Sequence, residues 1–173
     1  MIKMNTHLRQ ERNQAIGLKM QEYVAVELEK FFPEPEYKIV SCSTNGADIV
    51  IYKNDIKLFE CEVKTAIEVF LHNSKNGNGK IAHNIRRGMF SIKPIQLDAD
   101  FWAFVVRFTD RDLNWNGDIE IWYALGTDVK EYLESCPLNC INYKLCIESL
   151  PLMNAKEKFI EILDDLNKLK EEK

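Results

Sequence analysis

Residues 46–51 read Gly-Ala-Asp-Ile-Val-Ile, residues 59–64 read Phe-Glu-Cys-Glu-Val-Lys, and the turn-forming Lys53-Asn54-Asp55 lies between them. The two apolar runs and the turn predict neighbouring strands of a β-hairpin. Because side chains alternate along a strand, the three charged residues of the second segment share one face and its apolar residues share the other. The pattern therefore predicts a hairpin with one core face and one charged face.

The charged face of the second segment carries Glu60, Glu62 and Lys64. Two interpretations are open. An edge strand in water would carry these charges at little cost, whereas in a cleft two carboxylates and an ammonium form a divalent-cation site with a built-in lysine.

Strand register determines whether Asp48 belongs to this face. A two-residue turn without a bulge pairs Asp48 with Cys61 and turns its side chain toward the core. A three-residue connection, or one bulge, pairs Asp48 with Glu60 and places its side chain on the face of Glu62 and Lys64. We predict this second register.

Further strands and helices surround the hairpin and predict an α/β or α+β protein. Apolar residues at helical spacing predict an amphipathic helix from about Leu8 to Phe32, stopped by Pro33 and Pro35. The later helices are predicted in the basic segment, from a Thr127 cap through Leu133, and after an Asn154 cap. The predicted strands are Tyr37 to Cys42, Asp48 to Tyr52, Ile56 to Lys64, a central Phe101 to Phe108, and Ile119 to Leu125 after a turn at Asn116-Gly117.

Composition places the chain among ordinary globular proteins. Its 173 residues are 46% hydrophobic and 29% charged, which argues against disorder and fits one domain over residues 1–173. No apolar run approaches the roughly 18 residues of a membrane span. Residues 1–7 lead into charged residues rather than into a secretory segment. We therefore expect a cytoplasmic protein without a membrane partner.

The five cysteines are odd in number and scattered along the chain, which favours reduced thiols. The spacing of Cys136, Cys140 and Cys146 leaves a structural zinc site as the second interpretation.

The net charge of −4 conceals a positive segment. From Val69 to Leu97 there is no Asp or Glu, whereas the rest of the chain carries 18 cations against 27 acids, a balance of −9. The cations of this segment are Lys75, Lys80, Arg86, Arg87 and Lys93. Its Asn-rich and Gly-rich part from Asn73 to Lys80 predicts a loop, which either binds phosphates or is simply solvated.

Asp48 and the Glu62-Val63-Lys64 triplet resemble the PD-(D/E)xK nuclease superfamily, with Ala47 in place of the name-giving proline. The Gly46 turn before the aspartate and the amphipathic helix upstream strengthen the resemblance. It covers roughly residues 14 to 65, and the residues around the motif look particularly like those of archaeal Holliday-junction resolvases and Mrr-type restriction nucleases.

The resemblance implies a restriction endonuclease-like α/β fold, in which helices flank a central mixed β-sheet. It also implies a Mg²⁺ ion, for which Mn²⁺ can substitute, held by Asp48, Glu62 and the backbone carbonyl of Val63. Lys64 would orient the attacking water, and the products would be 5′-phosphate and 3′-hydroxyl ends. Counting from Gly17 places a neutral glutamine where a helical glutamate is expected. The third acidic ligand is therefore unassigned, and the candidate supporting residues of the first helix are Gln21, Glu22 and Glu27.

The basic segment directly follows this strand, so we expect it to contact double-stranded DNA through Lys75, Lys80, Asn84, Arg86, Arg87 and Lys93. Cutting both strands at a symmetric site would favour a homodimer. We expect an endonuclease of a restriction system, with junction resolution or DNA repair as the alternative. A catalytically inactive DNA-binding module and a plain solvated strand face are the competing interpretations.

Overall fold

The computed structural model describes residues 6–42, 46–75, 81–86, 89–109, 115–135, 143–146 and 156–171. Side chains are described for 10–42, 46–66, 90–107, 119–135, 159–168 and 170. The helices are α1 (Thr6–Leu28), α2 (Gly126–Ser135) and α3 (Lys156–Glu171), and a 3₁₀ turn covers Pro94–Gln96. The strands are β1 (Tyr37–Ser41), β2 (Ile49–Lys53), β3 (Ile56–Lys75), β4 (Ile81–Arg86), β5 (Met89–Ile92), β6 (Phe101–Thr109), β7 (Trp115–Leu125) and β8 (Tyr143–Cys146).

The main sheet has the strand order β1-β2-β3-β6-β7, and β4 pairs separately with β3. β3 and β6 are parallel, whereas every other pairing in this sheet is antiparallel. β5 and β8 form a separate two-stranded sheet. The predicted antiparallel meander from β1 to β3 is confirmed.

Helices cover both faces of the main sheet. On one face, Met20 and Val24 of α1 and Phe159 of α3 pack into one core. On the other face, Leu133 of α2 and Phe90 of β5 belong to a second core. The α/β class with a mixed sheet flanked by helices is confirmed. The central, doubly covered position of β6 is confirmed as well, because its residues 101–107 are all buried.

The basic segment differs most from its prediction. The expected loop and helix-prone stretch are wrong for its described part, because β3 continues to Lys75 and pairs with β4 over Val69–Lys75. The polar residues of this stretch do not favour a strand, yet β4 offers hydrogen-bonding partners to its backbone.

Three predicted boundaries also change. α1 ends at Leu28, before the prolines, and Asn116 and Gly117 lie inside β7 rather than in a turn. Thr127 is inside α2, which begins at Gly126, so it is not the cap. Asn154 lies outside the described residues.

None of the helices in the described part of the chain is both long and apolar enough to cross a membrane.

Candidate functional site

A tight turn and one bulge set the register of the β2–β3 hairpin. Asn54 and Asp55 have φ angles of 50° and 63°, the left-handed conformation of a two-residue hairpin turn. The pairing then shifts by one residue between Ile51 and Tyr52, so that Ile49 faces Cys61. Of the two predicted alternatives, a three-residue connection or a bulge, the structure has the bulge, and the shared face is confirmed. The predicted pairing of Asp48 with Glu60 is wrong, because Val50 faces Glu60.

Asp48 lies one residue before β2, and its side chain reaches across to β3. Its Oδ2 accepts a hydrogen bond of 2.8 Å from the backbone N–H of Val63. The carboxylate thus replaces the backbone acceptor that another residue of β2 would have supplied. This bond fixes Asp48 beside Glu62, on the side of the hairpin where the sequence predicted it.

Glu62 is the most buried acid of the group, with 4% of its surface exposed. Its Oε2 accepts a hydrogen bond of 2.8 Å from the side-chain amide of Gln96 and lies 3.6 Å from the Lys64 ammonium. Burial is the main cause that raises the pKa of Glu62 to about 7. The charge of Asp48 and a hydrogen bond with Asp48 raise this pKa further, whereas Lys64 lowers it. Asp48, Glu62 and Lys64 therefore form one contiguous cluster.

Among the residues that the structure describes, a gap in the sheet adjoins this cluster. β2 pairs with β3 only up to Cys61, and β4 pairs with β3 only from Val69 onward. Both strands lie on the edge of β3 opposite β6, because Val69 pairs with β6 and β4 at once. N–H and C=O of one strand residue point the same way, so the Val63 carbonyl faces this gap, like the N–H that binds Asp48.

α1 contributes Gln21 to the rear of the site. Gln21 is 6% exposed, and its amide donates hydrogen bonds to the backbone carbonyls of Cys42, at 2.8 Å, and of Asp48. Of the other two helix candidates, Glu22 is exposed, and Glu27 forms an ion pair with Lys30. Gln21 is therefore a support for the Asp48 backbone, and neither glutamate is placed by these contacts as a third acid.

The structure describes only part of the predicted DNA-binding set. Lys93 is exposed, just before the 3₁₀ turn. Lys75 ends β3, and in β4 Asn84 faces Leu71 and Arg86 faces Val69. Arg86 is thus a β4 residue at the margin of the gap. Lys80 and Arg87 lie outside the described residues, as do Cys136 and Cys140 of the possible zinc site.

Gln96 is the site residue that sequence reasoning missed. Its Oε1 accepts a hydrogen bond of 3.1 Å from the backbone N–H of Lys93, while its Nε2 donates to Glu62. The amide is therefore held in one orientation. Pro94 signals a turn at this point, but no local pattern relates position 96 to a strand 34 residues earlier.

The donor set of the cluster suits a hard cation. Two carboxylates in contact repel each other when both are ionised, and a bound divalent cation relieves that repulsion. Mg²⁺ prefers oxygen ligands and commonly binds through one or two carboxylates, with water and substrate phosphate completing its shell. Asp48, Glu62 and the Val63 carbonyl fit this description. Within the described part of the chain, no group of three or more His, Cys, Asp or Glu side chains could hold a metal ion.

No protein-family model matches the chain, and no curated protein sequence matches it significantly.

Proposed function

We propose that this protein is a Mg²⁺-dependent DNA endonuclease with a restriction endonuclease-like fold, acting on double-stranded DNA in a restriction system. The observation that carries the proposal is the cluster of two carboxylates in contact, Asp48 and Glu62, with the Lys64 ammonium 3.6 Å from the second. The gap beside β3 leaves this cluster next to an unpaired strand edge in the described part of the sheet.

Phosphodiester hydrolysis requires stabilisation of negative charge and an oriented water molecule. A bound Mg²⁺ would polarise the phosphate and acidify a water ligand. Asp48, Glu62 and the Val63 carbonyl would hold it. Lys64 is 20% exposed, so its ammonium can reach both the cluster and a bound phosphate, where it stabilises developing negative charge. Water adds to phosphorus, the bond to the 3′ oxygen breaks, and that oxygen takes up a proton.

The charge distribution supports a nucleic acid as the substrate. Lys75 and Arg86 belong to the hairpin that β3 and β4 form beyond the cluster, and Lys93 lies beside the turn that holds Glu62. Cationic residues on these elements would suit the phosphates that flank a scissile bond.

The test is incubation of the purified chain with supercoiled plasmid and with a four-way junction in Mg²⁺, followed by mapping of the ends. We expect discrete plasmid fragments with 5′-phosphate ends. Lys64→Ala should lower the cleavage rate about 100-fold or more. Lys57→Ala is the matched control, because Lys57 lies on the same strand and contacts only Glu60 in its described ion pair.

Structure-dependent nicks in the junction, without plasmid fragments, would favour the resolvase alternative. Binding of DNA without any cleavage would favour the inactive module. Equal rates for Lys64→Ala and Lys57→Ala would refute the assignment of the site.

A further inference from the structure

Ile95 is the most exposed of the large apolar side chains in the described part of the chain, with 86% of its surface accessible. It occupies the middle of the 3₁₀ turn Pro94–Gln96, between Lys93 and the residue that contacts Glu62. Among the described residues, the turn therefore presents an almost fully accessible apolar side chain.

The turn that carries Ile95 is held firmly. Pro94 fixes one backbone angle, and the N–H of Gln96 donates to the carbonyl of Lys93 at 3.0 Å. The Gln96 side chain bonds to Lys93 at one end and to Glu62 at the other. Leu97 is buried directly afterwards and anchors the turn in the second core. Ile95 therefore projects from a fixed base, which lowers the entropy cost of a contact.

The position of the turn identifies what Ile95 can touch. Adjacent Cα atoms are about 4 Å apart and a glutamine side chain adds a few ångströms, so Ile95 lies within about 12 Å of the Glu62 carboxylate. Base pairs rise about 3.4 Å each, so this distance spans about three of them. Lys93 is exposed beside Ile95, and no ion pair to it is found among the described side chains. A cation next to an exposed apolar tip suits a ligand with phosphates outside and flat bases inside.

We infer that the Lys93–Gln96 turn is a DNA-contacting element, in which Ile95 packs against nucleotides next to the scissile phosphate and Lys93 contacts the flanking backbone. This inference rests on the proposed function for its choice of ligand. It adds an apolar contact to a site whose other predicted DNA contacts are made by polar and cationic side chains. Gln96 of the same turn donates a hydrogen bond to Glu62, so the turn connects the Ile95 contact with the Glu62 carboxylate.

The test compares Ile95→Ser, Ile95→Leu and Lys93→Ala with Ile56→Ser. Ile56 is 73% exposed and begins β3, at the opposite end of the hairpin from the cluster, so it is the matched control. Binding of a fluorescent DNA duplex is measured by anisotropy in Ca²⁺ over a range of salt concentrations. Ile95→Ser should weaken binding about tenfold and leave the salt slope unchanged, since it removes apolar contact only.

The other two variants should differ from Ile95→Ser in affinity or in salt dependence. Ile95→Leu should stay within about threefold of the parent, and Lys93→Ala should reduce the salt slope by about one. In duplexes with 2-aminopurine beside the bound site, the fluorescence of this base should change when the parent or Ile95→Leu binds. It should not change when Ile95→Ser binds.

The inference is overturned if Ile95→Ser binds like the parent, or if Ile56→Ser weakens binding equally. The result can be separated from the proposed function, because DNA binding measured in Ca²⁺ does not depend on cleavage. A parent that binds through Ile95 and never cuts refutes the nuclease alone, and a parent that cuts while Ile95→Ser is unaffected refutes the turn alone. A parent that binds no DNA refutes both.

Discussion

The Asp48 carboxylate accepts a hydrogen bond of 2.8 Å from the backbone N–H of Val63, 15 residues later in the chain. This bond does two things at once. It continues the hydrogen-bonding of the hairpin beyond Ile49, the first residue of β2, and it holds the carboxylate in contact with Glu62. Asp48 therefore has a role in the fold as well as in the proposed chemistry, and its two roles need separate variants.

Asp48→Asn and Asp48→Ala separate these roles. The asparagine oxygen can still accept from Val63, so we expect Asp48→Asn to keep the stability of the parent to within about 1 kcal/mol in urea denaturation. Asp48→Ala leaves the N–H without this acceptor and should cost about 1–3 kcal/mol. We expect Mg²⁺ to raise the melting temperature of the parent, and both variants should lose this rise. Asp55→Asn, at the exposed turn, is the control, and an Asn variant as unstable as the Ala variant would contradict the bond's assignment.

Glu62 should make the stability of the protein depend on pH. Its pKa is raised to about 7, so the folded chain keeps a proton that the unfolded chain releases near pH 4.5. The folded state thus binds more protons between these values, and the free energy of unfolding should fall as the pH rises from about 4.5 to about 7 and then level off. Denaturation in urea at pH 5, 6, 7 and 8 measures this.

Glu62→Gln should remove most of this decline, because an uncharged amide can occupy the same site and still accept the bond from Gln96. Glu60→Gln changes a more exposed carboxylate on the same face of β3 and is the control. A parent whose stability rises with pH across this interval would show that Glu62 is not the buried, proton-binding acid described here.

Two glycines offer a matched test of the close packing between Ala99 and the start of α2. A Cβ on Gly126 would lie 1.8 Å from the carbonyl oxygen of Ala99, whereas one on Gly17 would have no neighbour within 4 Å. Gly126→Ala should therefore cost about 2 kcal/mol or more. Gly17→Ala, inside α1, should add about 0.5–1 kcal/mol through helix propensity. Thermal denaturation of both compares them, and equal effects would contradict the close approach at Gly126.

Local patterns were enough to predict the hairpin and its charged face. Alternation assigns Glu62 and Lys64 to one side of β3, and the Asn54-Asp55 pair marks the turn. The same reasoning showed that either a three-residue connection or a bulge is needed to bring Asp48 to that side. It could not locate the bulge, since one inserted residue on either strand gives the same parity and different partners.

Contacts distant in sequence were not predictable in the same way. β3 extends past Lys64 because β6 and then β4 pair with it, although its last residues, Asn73-Ser74-Lys75, carry no strand signal of their own. Gln96 reaches Glu62 only because a turn before β6 packs beside β3. In both cases a contact distant in sequence determines the structure, and the local sequence gives no sign of it.

Gln21 provides the sharpest test of how the site is supported. Its amide donates to the carbonyls of Cys42 and Asp48, so the position needs a donor and not a third carboxylate. Gln21→Met leaves both carbonyls without this donor and should cost about 1–3 kcal/mol in urea denaturation. At pH 8, Gln21→Glu should cost more than Gln21→Met, because a buried carboxylate would then face two acceptors. At pH 5 the protonated acid can donate one bond, and the gap between the two variants should narrow.

Glu22→Gln, one residue further on and exposed, is the control and should match the parent at both pH values. The same measurements with Mg²⁺ distinguish support from coordination. If Gln21→Glu is as stable as the parent at pH 8, or gains more stability from Mg²⁺ than the parent does, then position 21 of α1 is a ligand position and the carbonyl contacts are incidental. With the contacts as described, Mg²⁺ should stabilise the parent and should not rescue Gln21→Glu, because the carbonyls that surround the side chain repel a carboxylate whether or not the cation is bound nearby.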